Sequence, residues 1–257
     1  MKAPHFDDSY YKSLAVPHGQ RIPAGHVFFR WVLYVLSKVL AHVETPGMEC
    51  MPREGPLILA FNHIHYLDPY ILAGILPRYN VPISKIENFE IPVIGWTMIK
   101  YGVIPVRRGE VDRKAIRTAL EVLKAGNVFV IAPEGTRSKD HRLQRPKGGI
   151  GYIAAKSGAP IQPVGVIGTP EFPGAYKRLR RPHVVYRFGP VFRLRELPGR
   201  LSPQVLEQIG DEVMIEIARL LPEEMRGVYA NALHREMRWL VNQKDCGRNL
   251  SDDADLL

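Results

Sequence analysis

"PLILAFNHIHYLDPY", residues 56–70, joins a short apolar run to a loop that carries two histidines and an aspartate. The run "LILAF" (57–61) reads as a strand, and Asp68 followed by Pro69 reads as a helix start, since Asp is a favoured cap and Pro fits the first helical position. The rest of the chain repeats this unit. Further strands are expected in "VPIS" (81–84), "GVIPV" (102–106), "VFVIA" (128–132), "IQPVGVIG" (161–168) and "VVYRFG" (184–189). Helical patterns fall between them near 69–76, 92–100, 112–125 and 148–157, and another runs from Ser202 to Leu221. Such alternation predicts an α/β domain with a central, largely parallel β-sheet flanked by helices. Sites in sheets of this kind gather beyond the carboxyl ends of the strands.

Upstream, residues 1–25 mix charge, Pro and Gly without period and read as an irregular arm. "HVFFRWVLYVLSKVLAHVET" (26–45) is long and apolar but interrupted by Arg30, Ser37, Lys38 and His42. At helical spacing His26, Arg30, Tyr34, Ser37, Lys38 and Ala41 gather on one side, and Phe28, Trp31, Val32, Val35 and Val39 cover the other. Arg30 and Lys38 make a membrane span expensive, whereas a helix lying in the bilayer surface keeps both cations wet. A helix packed on the core is the other reading. The chain therefore divides into an N-terminal arm with a membrane-associating amphipathic helical segment (1–50), a main domain (51–225), and a C-terminal helix with a frayed tail (226–257).

The chain has 257 residues, 46% of them apolar, which is enough to bury a full core. Its net charge of +9 favours anionic partners, among them nucleic acid, phosphorylated metabolites, an acidic carrier protein or anionic lipids. Cys50 and Cys246 lie far apart and in no C-x-x-C arrangement, so neither a disulfide framework nor a thiolate metal site is suggested. The N-terminus lacks the apolar core of a secretory signal, which points to a cytoplasmic protein.

Chemistry concentrates at three strand ends. In the first, four residues separate His63 from Asp68, enough for the chain to turn back and bring the carboxylate to an imidazole nitrogen. The pair then reads as a general base and its orienting carboxylate, with the second nitrogen free for a hydroxyl. Capping alone is the other use of Asp68. His63 and His65 also make an H-x-H pair, but a metal site needs three or four protein ligands and no third motif stands out, so no metal is expected.

The second strand end, "APEGTRSKD" (132–140), offers Glu134, Gly135, Thr136 and Arg137 at a tight turn suited to a phosphate or a developing oxyanion. The third, "GVIPVRRGE" (102–110), carries Arg107 and Arg108. Lys147, at the start of the next helix, adds positive charge where the helix dipole also favours an anion.

Taken in order, His63-x-x-x-x-Asp68, "PVRRG", "APEGTRS" and "KGGIGYIAAKSGAPIQPVGVIG" (147–168) strongly resemble the glycerolipid acyltransferase family that includes lysophosphatidate acyltransferases. The resemblance covers roughly residues 55–170. It implies that His63 deprotonates the acceptor hydroxyl, that Asp68 orients it and that Arg108 binds the acceptor phosphate. It also implies binding or structural roles for Glu134, Gly135 and Arg137, and a place for Pro163 on the acyl-donor side. His65, Arg107 and Ala132 depart from residues common in the family, and the extra charge of Arg107 bears on head-group choice.

The implied reaction moves a fatty acyl group from an acyl thioester to lysophosphatidate, giving phosphatidate. No cofactor is implied beyond acyl-CoA or acyl carrier protein as co-substrate. The other implied partners are a lysophospholipid and an anionic membrane surface, with no nucleic acid, and the implied place is the cytoplasmic face of the cell membrane, peripheral or monotopic. Acylation of glycerol phosphate, another lysophospholipid or a glycolipid is the alternative within the class. A non-catalytic basic membrane-binding protein is the alternative outside it.

Overall fold

The computed structural model describes residues 6–17, 19–107, 109, 111–172, 174–199 and 201–243. The strands are β1 (His42–Glu44), β2 (Leu57–Phe61), β3 (Asn80–Lys85), β4 (Ile104–Val106), β5 (Val128–Ile131), β6 (Ile161–Ile167), β7 (His183–Phe188), β8 (Phe192–Leu194) and β9 (Leu240–Asn242). The helices are α1 (Asp8–Ser13), α2 (Ala24–Leu40), α3 (Asp68–Ile75), α4 (Pro92–Tyr101), α5 (Arg113–Lys124), α6 (Gly149–Ser157), α7 (Gly174–Lys177) and α8 (Pro203–Arg219).

The strands run in the order β1-β7-β6-β2-β5-β3-β4, with β8 and β9 attached beside β6. β6, β2, β5, β3 and β4 are mutually parallel, and β7 turns antiparallel onto β6. The expected α/β fold with a largely parallel sheet flanked by helices is therefore present. β2 and β5 lie at the centre and are apolar at every position, as strands covered on both faces must be. One core lies under α5, α6 and α8, a second between the opposite face and α3, and a smaller third joins α3 to α4.

Local rules account for the helix ends. Asp112 accepts the Ala115 N–H at 3.0 Å and caps α5, and Ser202 caps α8 ahead of Pro203. Gly74 of α3 faces the backbone of Leu33 so closely that an added Cβ would lie 2.7 Å from it, which lets α2 and α3 cross in contact.

Two regions differ from expectation. The N-terminal arm is ordered over its described part: α1 forms, Tyr10 Oη donates to the Val103 carbonyl at 2.7 Å, and Leu14 is buried. After residue 226 the described chain forms one short 3-10 turn (Gly227–Tyr229) and the strand β9 in place of a helix. Buried Glu212 holds that strand by accepting the N–H groups of Arg238, Trp239 and Leu240 at 2.8–2.9 Å. The tail beyond 243 lies outside the described residues. Cys246 lies outside the described residues.

α2 ends at Leu40, short of the 26–45 stretch, whose residues 42–44 form β1, and it packs with its more polar side inward. His26 is buried between the rings of Tyr79 and Tyr101 and shares a 2.9 Å hydrogen bond with the Tyr101 carbonyl. Arg30 donates to the Leu76 carbonyl at 3.0 Å, and Ser37 is buried. Outward point Phe28, Trp31, Val35 and Val39, of which Trp31 is 61% and Val39 62% exposed. No helix among the described residues is long and apolar enough to cross a membrane.

Candidate active site

β2 delivers the chain to the carboxyl edge of the sheet at Phe61. Asn62 fixes the exit: its Oδ1 accepts the Val166 N–H at 2.7 Å and its Nδ2 donates to the Val166 carbonyl at 3.0 Å. The loop then folds back onto Asp68, which is fully buried. Asp68 Oδ2 accepts the N–H groups of Ile64 and His65, each at 2.7 Å, and lies 2.9 Å from His63 Nδ1. A carboxylate only accepts, so the proton of that bond sits on Nδ1 and Nε2 is left with a lone pair. Asp68 thus closes the loop and sets the tautomer of His63 at once.

Glu134 supports the same loop from β5. One carboxylate oxygen accepts the His63 N–H at 3.0 Å and the other accepts the Gln144 N–H at 3.1 Å, while Ser138 donates its N–H to the His63 carbonyl at 2.8 Å. Burial pushes the Glu134 carboxyl up to about 7, against the pull of those two N–H donors. Gly135 follows with φ +63°, and a Cβ there would lie 2.9 Å from Lys147 Cδ.

His63 faces a cavity of about 1530 Å³, larger than the ~300–1,000 Å³ usual for small-molecule sites. Arg107, Gly135, Thr136 and Lys147, all expected at the site, line it with His63. Arg107 is steadied through its backbone, whose N–H donates to Asp112 Oδ2 at 3.0 Å. The start of α6 at Gly149 lines the cavity beside Lys147, aiming the positive end of the helix dipole into it. Lys85, Arg113 and Arg117 add positive charge that the motifs did not point to. The remaining wall is mainly apolar, with Leu33 and Leu36 of α2, Ile116 and Leu120 of α5, Tyr152 of α6 and Phe172, and carries Asp112, Ser84 and Asn88 as polar members.

Three expected residues lie elsewhere, and a fourth falls outside the described residues. Glu134 is buried with its carboxylate spent on backbone N–H groups, so its place is under the loop and not in the cavity. Pro163 is inside β6 opposite Ala60, and its carbonyl accepts the Gly189 N–H. Arg137 is exposed and outside the cavity lining, and Arg108 lies outside the described residues. His65 does not join His63 as a metal pair: it sits against Tyr66 and Phe172, and its Nδ1 faces the Leu67 N–H at 3.4 Å.

Residues 42–167 match the family model described as Acyltransferase. A chloroplastic 1-acyl-sn-glycerol-3-phosphate acyltransferase of Brassica napus is 41% identical over 131 residues, which are 49% of this chain and 37% of that protein. A lyso-ornithine lipid O-acyltransferase of Pseudomonas aeruginosa is 32% identical over 152 residues, 59% of this chain and 57% of that protein. These matches therefore span about half the length of the relatives or less. The crystal structure of the 1-acyl-sn-glycerophosphate acyltransferase PlsC of Thermotoga maritima superposes with a TM-score of 0.54 at 25% identity, covering 73% of this chain and 78% of that one. With ordered motifs, a matching sheet and a His63–Asp68 pair at its carboxyl edge, residues 42–167, just under half of the chain, form an acyltransferase-family segment.

Proposed function

We propose that the protein is an O-acyltransferase that moves a fatty acyl group from an acyl thioester to the free hydroxyl of lysophosphatidate, giving phosphatidate. The observation that carries this reading is His63, held by Asp68 with its Nε2 free, at the edge of a cavity that is basic at one part of its wall and apolar over most of the rest. That combination suits a substrate with an anionic head and long acyl chains.

In the proposed reaction Nε2 of His63 takes the proton of the acceptor hydroxyl as its oxygen attacks the thioester carbonyl. The tetrahedral intermediate collapses by breaking the carbon–sulfur bond, and the imidazolium returns its proton to the departing thiolate. Asp68 holds the imidazole and balances the charge it gains. General-base action of this kind contributes roughly 10²–10⁴-fold. Arg107 and Lys147 bind the phosphate, with Arg108 on the same arginine pair in sequence, and Thr136 and the Gly135 turn complete the polar side. The apolar wall takes the acyl chain. Acyl-CoA or acyl carrier protein serves as donor.

The outward apolar face of α2 supports docking on an anionic bilayer at its cytoplasmic face, peripheral or monotopic, so that lipid substrates enter without full transfer to water. The basic segment 176–183 bonds to the end of this helix, with Arg181 donating to the Lys38 and Ala41 carbonyls, and adds charge for anionic head groups.

An acceptor panel tests the head-group assignment. Lysophosphatidate, glycerol phosphate, a neutral lysophospholipid and lyso-ornithine lipid are each offered with one labelled acyl thioester in mixed micelles. The proposal predicts the highest kcat/KM for lysophosphatidate. A preference for lyso-ornithine lipid would replace the phosphate assignment by an acceptor like that named for the Pseudomonas relative.

A further inference from the structure

A second cluster of reactive side chains lies apart from the acyl-transfer site, on the strand pair at the other side of the sheet. β1 and β7 are parallel, and their register sets His42 directly beside His183. Glu44 is two residues along β1 and therefore projects from the same face as His42. All three side chains are solvent-exposed. Glu44 Oε1 is 2.9 Å from His183 Nε2 and 3.4 Å from His42 Nε2, and the two imidazole centroids are 5.4 Å apart. Among the described residues this is the group of three His, Cys, Asp or Glu side chains whose ligand atoms all lie within 4.8 Å of one another.

Those spacings match the requirements of one ion. Ligand atoms at ~2.0–2.2 Å from a tetrahedral Zn²⁺ stand about 3.3 Å from each other, within about half an ångström of both Glu44 contacts. Two imidazoles and one carboxylate form a three-ligand set that leaves one position for water. The ligands stand on paired strands, so two of them are held in register by the backbone before any ion arrives.

We propose that His42, Glu44 and His183 form a binding site for a borderline divalent transition-metal cation, typified by Zn²⁺, which fastens β1 to β7. The site acts on the mounting of α2: that helix ends at Leu40, β1 begins at His42, and Arg181 and Tyr176 already bond to the carbonyls at the same corner. Coordinating His42 and Glu44 to His183 ties the strand that follows the helix to the body of the sheet. The inference uses none of the acyl-transfer residues and stands independently of that reaction.

The test uses the full-length protein without a histidine tag. Co²⁺ is titrated and its visible absorption followed, then displaced by Zn²⁺; thermal unfolding is recorded with Zn²⁺ and with a chelator. One equivalent of Co²⁺ is expected, together with a Zn²⁺-dependent rise in Tm, because an ion that binds only the folded state stabilises it. Loss of an outer-shell partner alone commonly weakens metal binding about tenfold or more, so His183→Ala and, independently, Glu44→Gln are each expected to weaken Co²⁺ binding by at least about tenfold. Both positions are exposed, and circular dichroism confirms that each variant is folded. Absence of stoichiometric Co²⁺ binding by the wild type overturns the proposal, as does wild-type affinity in both folded variants.

Discussion

The buried Glu134 carboxylate accepts the backbone N–H of His63 at 3.0 Å, so a residue 71 positions along the chain fixes where the imidazole begins. Its carboxyl group is raised from 4.5 to about 7 by burial. Between those values the folded protein holds a proton that the unfolded chain has released, and stability from this group falls as pH rises through that window. By linkage the change is about 3 kcal/mol and is complete above pH 7. Glu134→Gln removes this slope and turns an amide N–H toward one of the two backbone donors, so the variant is destabilised and its loop loosened. Urea unfolding at pH 5 and pH 8 checks it: the wild type is expected to lose more stability than the variant between the two, and equal changes would contradict the assignment.

Asp68→Asn keeps the shape of the loop and removes the charge that sets the His63 tautomer. Because Oδ2 also accepts two backbone N–H groups, an asparagine that preserves those bonds with its oxygen has no charge left to balance an imidazolium. The expected outcome is a fall in kcat of about 10²–10⁴-fold with little change in the KM of the acceptor. A kcat within a few-fold of wild type would leave Asp68 as a loop cap only.

Gly135→Ala places a Cβ at φ +63°, 2.9 Å from the flexible end of Lys147. The left-handed backbone costs about 1–2 kcal/mol for an alanine, and Lys147 is pushed from its position in the cavity wall. A modest loss of stability in chemical denaturation should accompany a raised KM for a phosphorylated acceptor. An unchanged KM would separate Lys147 from phosphate binding.

Trp31→Glu together with Val39→Glu changes two outward residues of α2 that are each more than half exposed. Sedimentation with anionic vesicles is expected to show at least a tenfold loss of binding while Tm stays within a few degrees, since exposed positions contribute little to the core. Retained vesicle binding would move the membrane contact away from this helix.

The main sheet was legible in the sequence because its central strands are short apolar runs, buried on both faces, with turn residues between them. The His63–Asp68 pair was legible because both members lie in one loop. The three-residue strands β1, β8 and β9 carry no local period, and their pairing is decided by distant partners such as Glu212, whose carboxylate organises the β9 strand. The facing of α2 was also out of reach: its two sides are distinct in the sequence, but Tyr79, Tyr101 and the Leu76 carbonyl are what draw His26 and Arg30 inward. Which of its two implied roles Glu134 takes is hidden in the sequence for a related reason. A tight turn at Gly135 with positive φ sends adjacent side chains to opposite sides of the loop, and spacing alone does not say which side is the cavity.

The most direct test of the account is acyl transfer from a labelled acyl thioester to lysophosphatidate, comparing the wild type with His63→Ala. Labelled phosphatidate from the wild type, and a rate at least ~10²-fold lower from a folded His63→Ala protein, is the predicted result. Transfer by His63→Ala at the wild-type rate would contradict the assignment of His63 as the base.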